Sequence, residues 1–377
     1  MTLLYSEVEE ELRAAVRDLL ADRCPPATVL ARVEGPSPYE ADLWKALARD
    51  IGAAGLLIPE ELGGAGASAR EAAVVLEELG RAVTPVPFLT SSVLATQALL
   101  SAGTDAAREI LASLASGETT AALAVSLATS PYSVRADPGG ATPPSAVGAA
   151  GGGVVAEGDM VTGRVNAVAG ADVADVLIVP ASGGLYAVDA AHATVEGTAS
   201  LDLTRPIATV AFSGAPARRV SADLAPLRAA LEAGAGLLAS EQLGVAEWCL
   251  TTTIAYVKER HQFARPVGSF QALKHRLADL WMEIVQARAA ARNAADALAT
   301  GTDVPTAVAV AQAWCGGVAV HAAEEALQLH GGIGMTWEHP VHLYLKRAKA
   351  DEIALGTPGD HRDTLARLAD IPPPIAS

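Results

Sequence analysis

Cysteine is scarce and unpatterned in this chain. Its three cysteines, Cys24, Cys249 and Cys315, lie far apart, which excludes a disulfide framework and a cysteine metal site and fits a reducing, cytoplasmic setting. Basic charge is also short: 27 Lys and Arg stand against 43 Asp and Glu, a formal net charge of −16. Nucleic-acid affinity depends on Lys and Arg that neutralise phosphates, so that partner class is excluded. The chain is 51% hydrophobic. No uninterrupted apolar run is long enough to span a bilayer, so no membrane partner is expected. The start, Met1-Thr-Leu-Leu-Tyr-Ser-Glu-Val-Glu-Glu10, turns acidic at once. A secretory leader starts basic and then turns apolar, so none is expected.

What is present is length and helical pattern. At 377 residues the chain can bury a large core in two or three domains. Residues 6–22 carry apolar and acidic positions at helical spacing, and Pro25-Pro26 stops the pattern. Further helical patterns cover 38–52, 68–82 and 90–116, with a turn-rich loop over Gly52–Gly66. From about 120 the character changes. Short β-prone runs appear at Thr120–Leu127, Val154–Ala156, Val176–Val179, Leu185–Val188 and Ile207–Phe212, between glycines and prolines. They predict a small antiparallel β domain. Residues 134–153 are nearly all Ala, Gly, Pro and Ser, the composition of a long loop. From about 221 to 371 the chain is helical again, with one long pattern from Leu224 to Phe263. The division is 1–119 helical, 120–220 β and 221–377 a helical bundle.

Two stretches carry chemistry. Tyr256–Asp279 ends one helical pattern, turns at Arg265-Pro266-Val267-Gly268 and opens another. Arg260, Gln262 and Phe263 sit at that joint. A guanidinium grips phosphate by a forked hydrogen bond, an amide adds a polar contact, and a ring packs on a flat ligand. The second stretch is Gln328-Leu-His-Gly-Gly-Ile-Gly-Met-Thr-Trp337. Its Gly331 and Gly332 let backbone N–H groups approach a ligand unobstructed. His330 beside them reads as a packed or capping residue. His339 and His342 beside Glu338 imitate a metal cluster, but no third ligand stands at matching spacing, so an exposed helix start is expected and no metal.

In this order and spacing the two stretches resemble the C-terminal helical domain of the acyl-CoA dehydrogenase family, in an actinobacterial-type branch. "GLLIPEELGG" and "LEELGRA" in the first hundred residues resemble the family's N-terminal domain. The implied fold class is α+β: an N-terminal helical domain, a middle β domain and a C-terminal four-helix bundle. The implied cofactor is FAD, the substrate an acyl-CoA, and the acceptor electron-transfer flavoprotein. In the family, one subunit donates an Arg/Gln/Phe cluster and a Gln-x-x-Gly-Gly loop to the ADP half of its neighbour's FAD. The resemblance assigns those roles to Arg260, Gln262, Phe263, Gln328, Gly331 and Gly332. Ala264 stands where the family usually has glycine.

Other family features are missing. The family's flavin-cradling Trp-Ile-Thr aligns with Ala167, Val168 and Ala169, and its preceding segment reads Ser126-Leu-Ala-Thr-Ser-Pro131. The catalytic base occupies one of two positions in the family. Here one is Leu355, before Gly356-Thr357, and the other is Gly234, twenty-six residues before Arg260. Neither takes a proton, so no catalytic residue is assigned. Glu352, Glu241 and Glu247 are the nearest carboxylates, and each reads as a solvated or interface group. Asp202-Leu-Thr-Arg205 resembles a linking motif whose charges would pair with each other. The resemblance therefore implies the non-basic subunit of an α₂β₂ pair, lending contacts to a FAD seated on a paralogous partner. The alternatives are a self-sufficient homotetramer with a relocated base, and a non-catalytic assembly subunit. Which acyl group is used does not follow from these motifs.

Overall fold

The computed structural model describes residues 3–35, 39–134 and 153–372. The loop expected over 134–153 falls, except at its ends, outside the described residues.

The N-terminal helices begin where side chains satisfy free backbone donors. Helix α1 (Glu7–Arg23) opens on a capping box between Ser6 and Glu9. Pro25-Pro26 ends α1 but also starts an unpredicted helix, α2 (Pro26–Val33). Proline is tolerated in a first turn because its missing N–H had no partner there. α3 (Ala41–Arg49) follows. α4 (Ala69–Arg81) opens on a second capping box, Ser68 with Glu71. The pattern at 90–116 is not one helix. A wide π-type segment, Phe88–Ala95, runs into α5 (Thr96–Ala102). Gly103 then takes φ 63° and Thr104 caps α6 (Asp105–Leu114).

The middle region holds two four-stranded sheets. One has the order β1 (Ala121–Leu123), β4 (Val176–Ala181), β5 (Gly184–Asp189), β8 (Arg218–Ser221). The other has β2 (Val155–Glu157), β3 (Met160–Ala169), β7 (Ile207–Pro216), β6 (Ala193–Thr198). The expected antiparallel pairing needs one correction, because β1 pairs parallel to β4. Val161 and Val165 of β3 pack with Leu177, Val188 and Phe212 in a core between the sheets. The unpredicted strands, β3, β6 and β8, mix polar and apolar residues, so they lack the continuous β-prone runs that mark the others.

The C-terminal region is a bundle of α7 (Ala225–Glu259), α8 (Gln271–Thr300), α9 (Val304–His330), α10 (Val341–Ile353) and α11 (Pro358–Leu368). α7 is buried without interruption from Ala233 to Glu247. It packs on α4 and α5 as well as on the bundle. Two glycines set that contact: a Cβ on Gly80 would lie 2.2 Å from the Glu241 carbonyl oxygen, and one on Gly244 1.9 Å from that of Glu77. α9 is a long apolar helix, interrupted by polar residues. With its short extension to Met335 it is long and apolar enough to cross a membrane, but 67% of its apolar window is buried inside this fold. It is the inner helix of the bundle, packed on α7, α8, α10 and α11.

A buried charge network ties the segment before β7 to the bundle. Arg347 of α10 donates to Asp202 at 2.5 Å, to Glu241 at 2.5 Å and to the Thr204 hydroxyl at 2.6 Å. Arg205 donates to Glu241 and, at 2.5 Å, to Asp351. Asp202 and Arg205 thus link the two regions, as a structural motif would. Their ion pairs go to α7 and α10, not to each other. Against the penalty of burial, Arg205 and Arg347 hold Glu241 below its usual range. Burial first, and then the Glu241 carboxylate, push Asp351 up to about 8.

Candidate cofactor-donor arms and a filled base position

α7 ends at Glu259, four residues short of the expected Phe263, and Arg260 is extended. His261-Gln262 pairs antiparallel with Arg265-Pro266. The turn lies at Phe263 and Ala264, with φ of 52° and 59°, and not at 265–268. Two successive left-handed residues are the signature of a tight hairpin whose twist matches its strands. This accounts for the family's glycine at the Ala264 position, since glycine adopts that conformation without steric cost.

The hairpin presents its side chains outward. Arg260 and Gln262 are exposed, and Phe263 is 86% exposed. The Arg265 guanidinium instead lies 3.8 Å from the Phe270 ring centroid. Arg260 makes no ion pair among the described residues.

Gln328 sits exposed on the last turn of α9. Gly331 follows with φ 60° and ψ −136°, a backbone conformation that favours glycine. A Cβ built on Gly331 or Gly332 would meet no atom within 4 Å, whereas one on Gly334 would lie 2.6 Å from the Leu327 carbonyl oxygen. The first two glycines therefore leave an open face, and the third is a packing glycine. The structure also joins the two arms. Tyr256, whose carbonyl accepts the Arg260 N–H at 2.9 Å, stacks on His330 with centroids 4.5 Å apart.

The two positions where the resemblance would place a base, Gly234 and Leu355, lie together and are filled. A Cβ on Gly234 would stand 2.3 Å from Leu94 Cδ2 and 3.2 Å from Leu355 Cδ1. Leu355 is buried and takes φ 56°. Its N–H donates to the Leu127 carbonyl at 2.8 Å, and the Leu127 N–H donates to the Ala167 carbonyl at 2.9 Å. Ala167 has φ 56° at an irregularity in β3. A Cβ on Gly356 would meet Ser130 at 3.1 Å. The segment 126–130 thus closes directly on Ala167 and on Leu355-Gly356.

None of the three carboxylates singled out in the sequence reaches this place as a free base. Glu241 is 1% exposed and is taken up by Arg205 and Arg347. Glu247 is buried and accepts from Arg288 at 2.6 Å and Arg81 at 3.1 Å. Of the two expected settings, solvated or interface, the solvated one does not hold for either, since both are buried. Glu352 is half-buried, 3.5 Å from Lys349. It does not share a helix face with Leu355, because α10 ends at Ile353.

His330 is packed, 2% exposed, with Nδ1 2.7 Å from the Ala326 carbonyl. His339 is half-buried against it, which corrects the expected exposed helix start. No group of three or more His, Cys, Asp or Glu side chains suited to a metal occurs among the described residues. Sequence reasoning missed Tyr256 and Leu94. Tyr256 stands one helical turn before Arg260, a spacing that places it beside the arm. Leu94 gave no signal, since its meeting with Gly234 depends on how α7 docks.

Comparison with known proteins agrees with this architecture. Residues 6–118 match the family described as acyl-CoA dehydrogenase, N-terminal domain, and residues 226–369 its C-terminal domain. The acyl-CoA dehydrogenase IpdE2 of Mycobacterium tuberculosis is 38% identical, over 96% of each chain. A variant of the Tcur3481-Tcur3483 steroid ACAD superposes with a TM-score of 0.83 at 29% identity, covering 98% of this chain and 99% of that one. A chain of the ChsE4-ChsE5 complex from Mycobacterium tuberculosis superposes with a TM-score of 0.83 at 26% identity, covering 99% of this chain and 100% of its own.

Proposed function

The chain belongs to the acyl-CoA dehydrogenase family, whose members are FAD-dependent oxidoreductases, and from that premise we propose that it is the non-basic subunit of a hetero-oligomeric acyl-CoA dehydrogenase. FAD in this family accepts the hydride that leaves the acyl β-carbon. The residues present fit one end of that cofactor. Arg260 and Gln262 offer exposed donors, Phe263 an exposed ring, and Gly331-Gly332 an open backbone face. Those are groups that hold a diphosphate and an adenine. The other end is not provided for. Leu94 and Leu355 occupy the space at Gly234, and the Leu127 backbone is bonded to both Ala167 and Leu355.

The observation that carries the proposal is this contrast between open donor arms and a filled base position. A partner chain of the same family would supply the glutamate and the surface on which the isoalloxazine rests. Likeness to a steroid ACAD and to the ChsE4-ChsE5 complex supports a paralogous partner and a CoA thioester of a steroid-derived acid as substrate. Electron-transfer flavoprotein would serve as acceptor. The 1–119, 120–220 and 221–377 division belongs to the same reading.

The test is co-expression. The chain alone is expected to purify without stoichiometric FAD and without dehydrogenation. Together with a co-encoded paralogue it is expected to carry one FAD per pair. Arg260→Ala in this chain is expected to weaken FAD binding by about 1.5–3 kcal/mol, the range for a hydrogen bond to a charged group. Full flavin and turnover in the lone chain would instead establish a homo-oligomer with a relocated base.

A further inference from the structure

Tyr256, His330 and His339 form one run of ring contacts, the first pair stacked and the second tilted. Tyr256 and His330 have centroids 4.5 Å apart at 27°, and His330 and His339 are 4.3 Å apart at 41°. The run joins the end of α7 to the end of α9 and the loop that follows it. Tyr256 is on the last turn of α7, bonded through its carbonyl to the Arg260 N–H. His330 ends α9, between Gln328 and Gly331. His339 follows the glycine loop, where its Nδ1 accepts the Val341 N–H at 3.3 Å.

His330 is held from several sides. Its Nδ1 lies 2.7 Å from the Ala326 carbonyl; a carbonyl only accepts, so Nδ1 carries the proton. Its Nε2 is buried and has no hydrogen-bond partner. An unpaired buried nitrogen opposes folding, so packing alone would favour an apolar ring here. What the imidazole adds is a flat surface held by one hydrogen bond, with Tyr256 stacked on it and His339 tilted against it.

We propose that His330 is the positioning residue that holds the Arg260 hairpin and the Gly331-Gly332 turn in register, so that both engage one dinucleotide at once. The inference rests on the reading that these two arms contact FAD. The arms rise from different helices. Two contacts on one ligand reinforce each other only while their spacing is maintained. The ring stack is what maintains it: Tyr256 is a single turn behind Arg260, and His330 directly precedes Gly331. His330 touches no cofactor atom in this account and acts through its neighbours.

The experiment uses the chain co-purified with its partner and stripped of flavin, titrated with FAD and read by flavin fluorescence. Melting temperature is recorded beside each titration. Arg260→Ala tests the underlying reading: unchanged FAD affinity removes that reading, and the inference with it. If Arg260→Ala weakens binding, His330→Ala is expected to weaken it about tenfold through loss of the linked contact. His330→Phe, which keeps a flat ring, is expected to restore it. FAD affinity in His330→Ala equal to that of the parent overturns the inference. So does equal loss in the Ala and Phe variants, which would mark a requirement for the nitrogen and not for the stack. Should His330→Ala fail to assemble, Tyr256→Leu removes the opposite ring and leaves His330 in place. Weakened FAD binding in assembled Tyr256→Leu supports the inference, and parental binding overturns it.

Discussion

Gly234 and Leu355 face each other across the interior: a β-carbon on Gly234 would come within 3.2 Å of Leu355 Cδ1. The family resemblance gives each position as a place for the base. Here the glycine leaves room, and Leu94 with Leu355 takes it. A carboxylate at either position would be buried against the Leu94 and Leu355 side chains, and burial disfavours the charged form.

Gly234→Ala is expected to destabilise the chain, since its new methyl would lie 2.3 Å from Leu94 Cδ2. Overpacking of this kind costs about 1–3 kcal/mol. Leu94→Ala would relieve that clash while leaving its own cavity. The double variant should therefore be more stable than the sum of the single effects predicts, as read by urea unfolding. Strict additivity would mean that the two side chains do not compete for one space.

Arg347 holds together parts of the chain that are far apart in sequence. It is 1% exposed and serves Asp202, Thr204 and Glu241. Arg347→Met would leave Asp202, Glu241 and Asp351 with Arg205 as the remaining guanidinium of the network. Breaking a buried pair from one side costs about 3–5 kcal/mol. Arg276→Ala is the control: Arg276 meets Glu325 at the surface, where such pairs contribute about 0–1 kcal/mol. Comparable effects in denaturant unfolding would show that the buried network does not secure the linker to the bundle.

Asp351 gives the chain a pH dependence on the alkaline side. Its folded carboxyl is raised from the ordinary 3.8 to about 8, by burial and then by Glu241. Between those values the folded state keeps a proton that the unfolded state releases. The contribution is full below 3.8 and is lost as pH rises through about 8. Asp351→Asn cannot lose that proton. Its stability should fall less than the parent's between neutral and mildly alkaline pH, measured by denaturant midpoint. Parallel pH profiles would refute a protonated Asp351.

Ala264 carries strain that glycine would remove. Its φ of 59° is left-handed, which costs a residue with a β-carbon about 1–2 kcal/mol. Ala264→Gly is expected to raise stability by somewhat less, about 1 kcal/mol, because glycine also loosens the unfolded chain. Thermal unfolding of the full chain checks the sign. A destabilised variant would show that the alanine methyl makes a contact outweighing the strain.

The chain's residues announced the parts of the fold that depend on neighbours in sequence. Ser6 with Glu9 and Ser68 with Glu71 mark the starts of α1 and α4 because a capping box closes within four residues. The Arg260 and Gly331 motifs were legible for the same reason, as short runs of a few residue types. The end of α7 was not: apolar spacing ran on through Phe263, while the backbone left the helix after Glu259. Side-chain pattern carries no signal for that reversal when alanine occupies the usual glycine position.

What the sequence determined by itself was therefore local: helix starts, and the Arg260 and Gly331 motifs. Only the tertiary structure decided that Gly234 and Leu355 meet beside Leu94, that Glu241 is claimed by Arg205 and Arg347, and that Tyr256 and His330 join the two arms. The reason is physical. Each of these contacts links residues dozens to more than a hundred positions apart, and their distance is fixed by how α7 packs against its neighbours, which no spacing along the chain records.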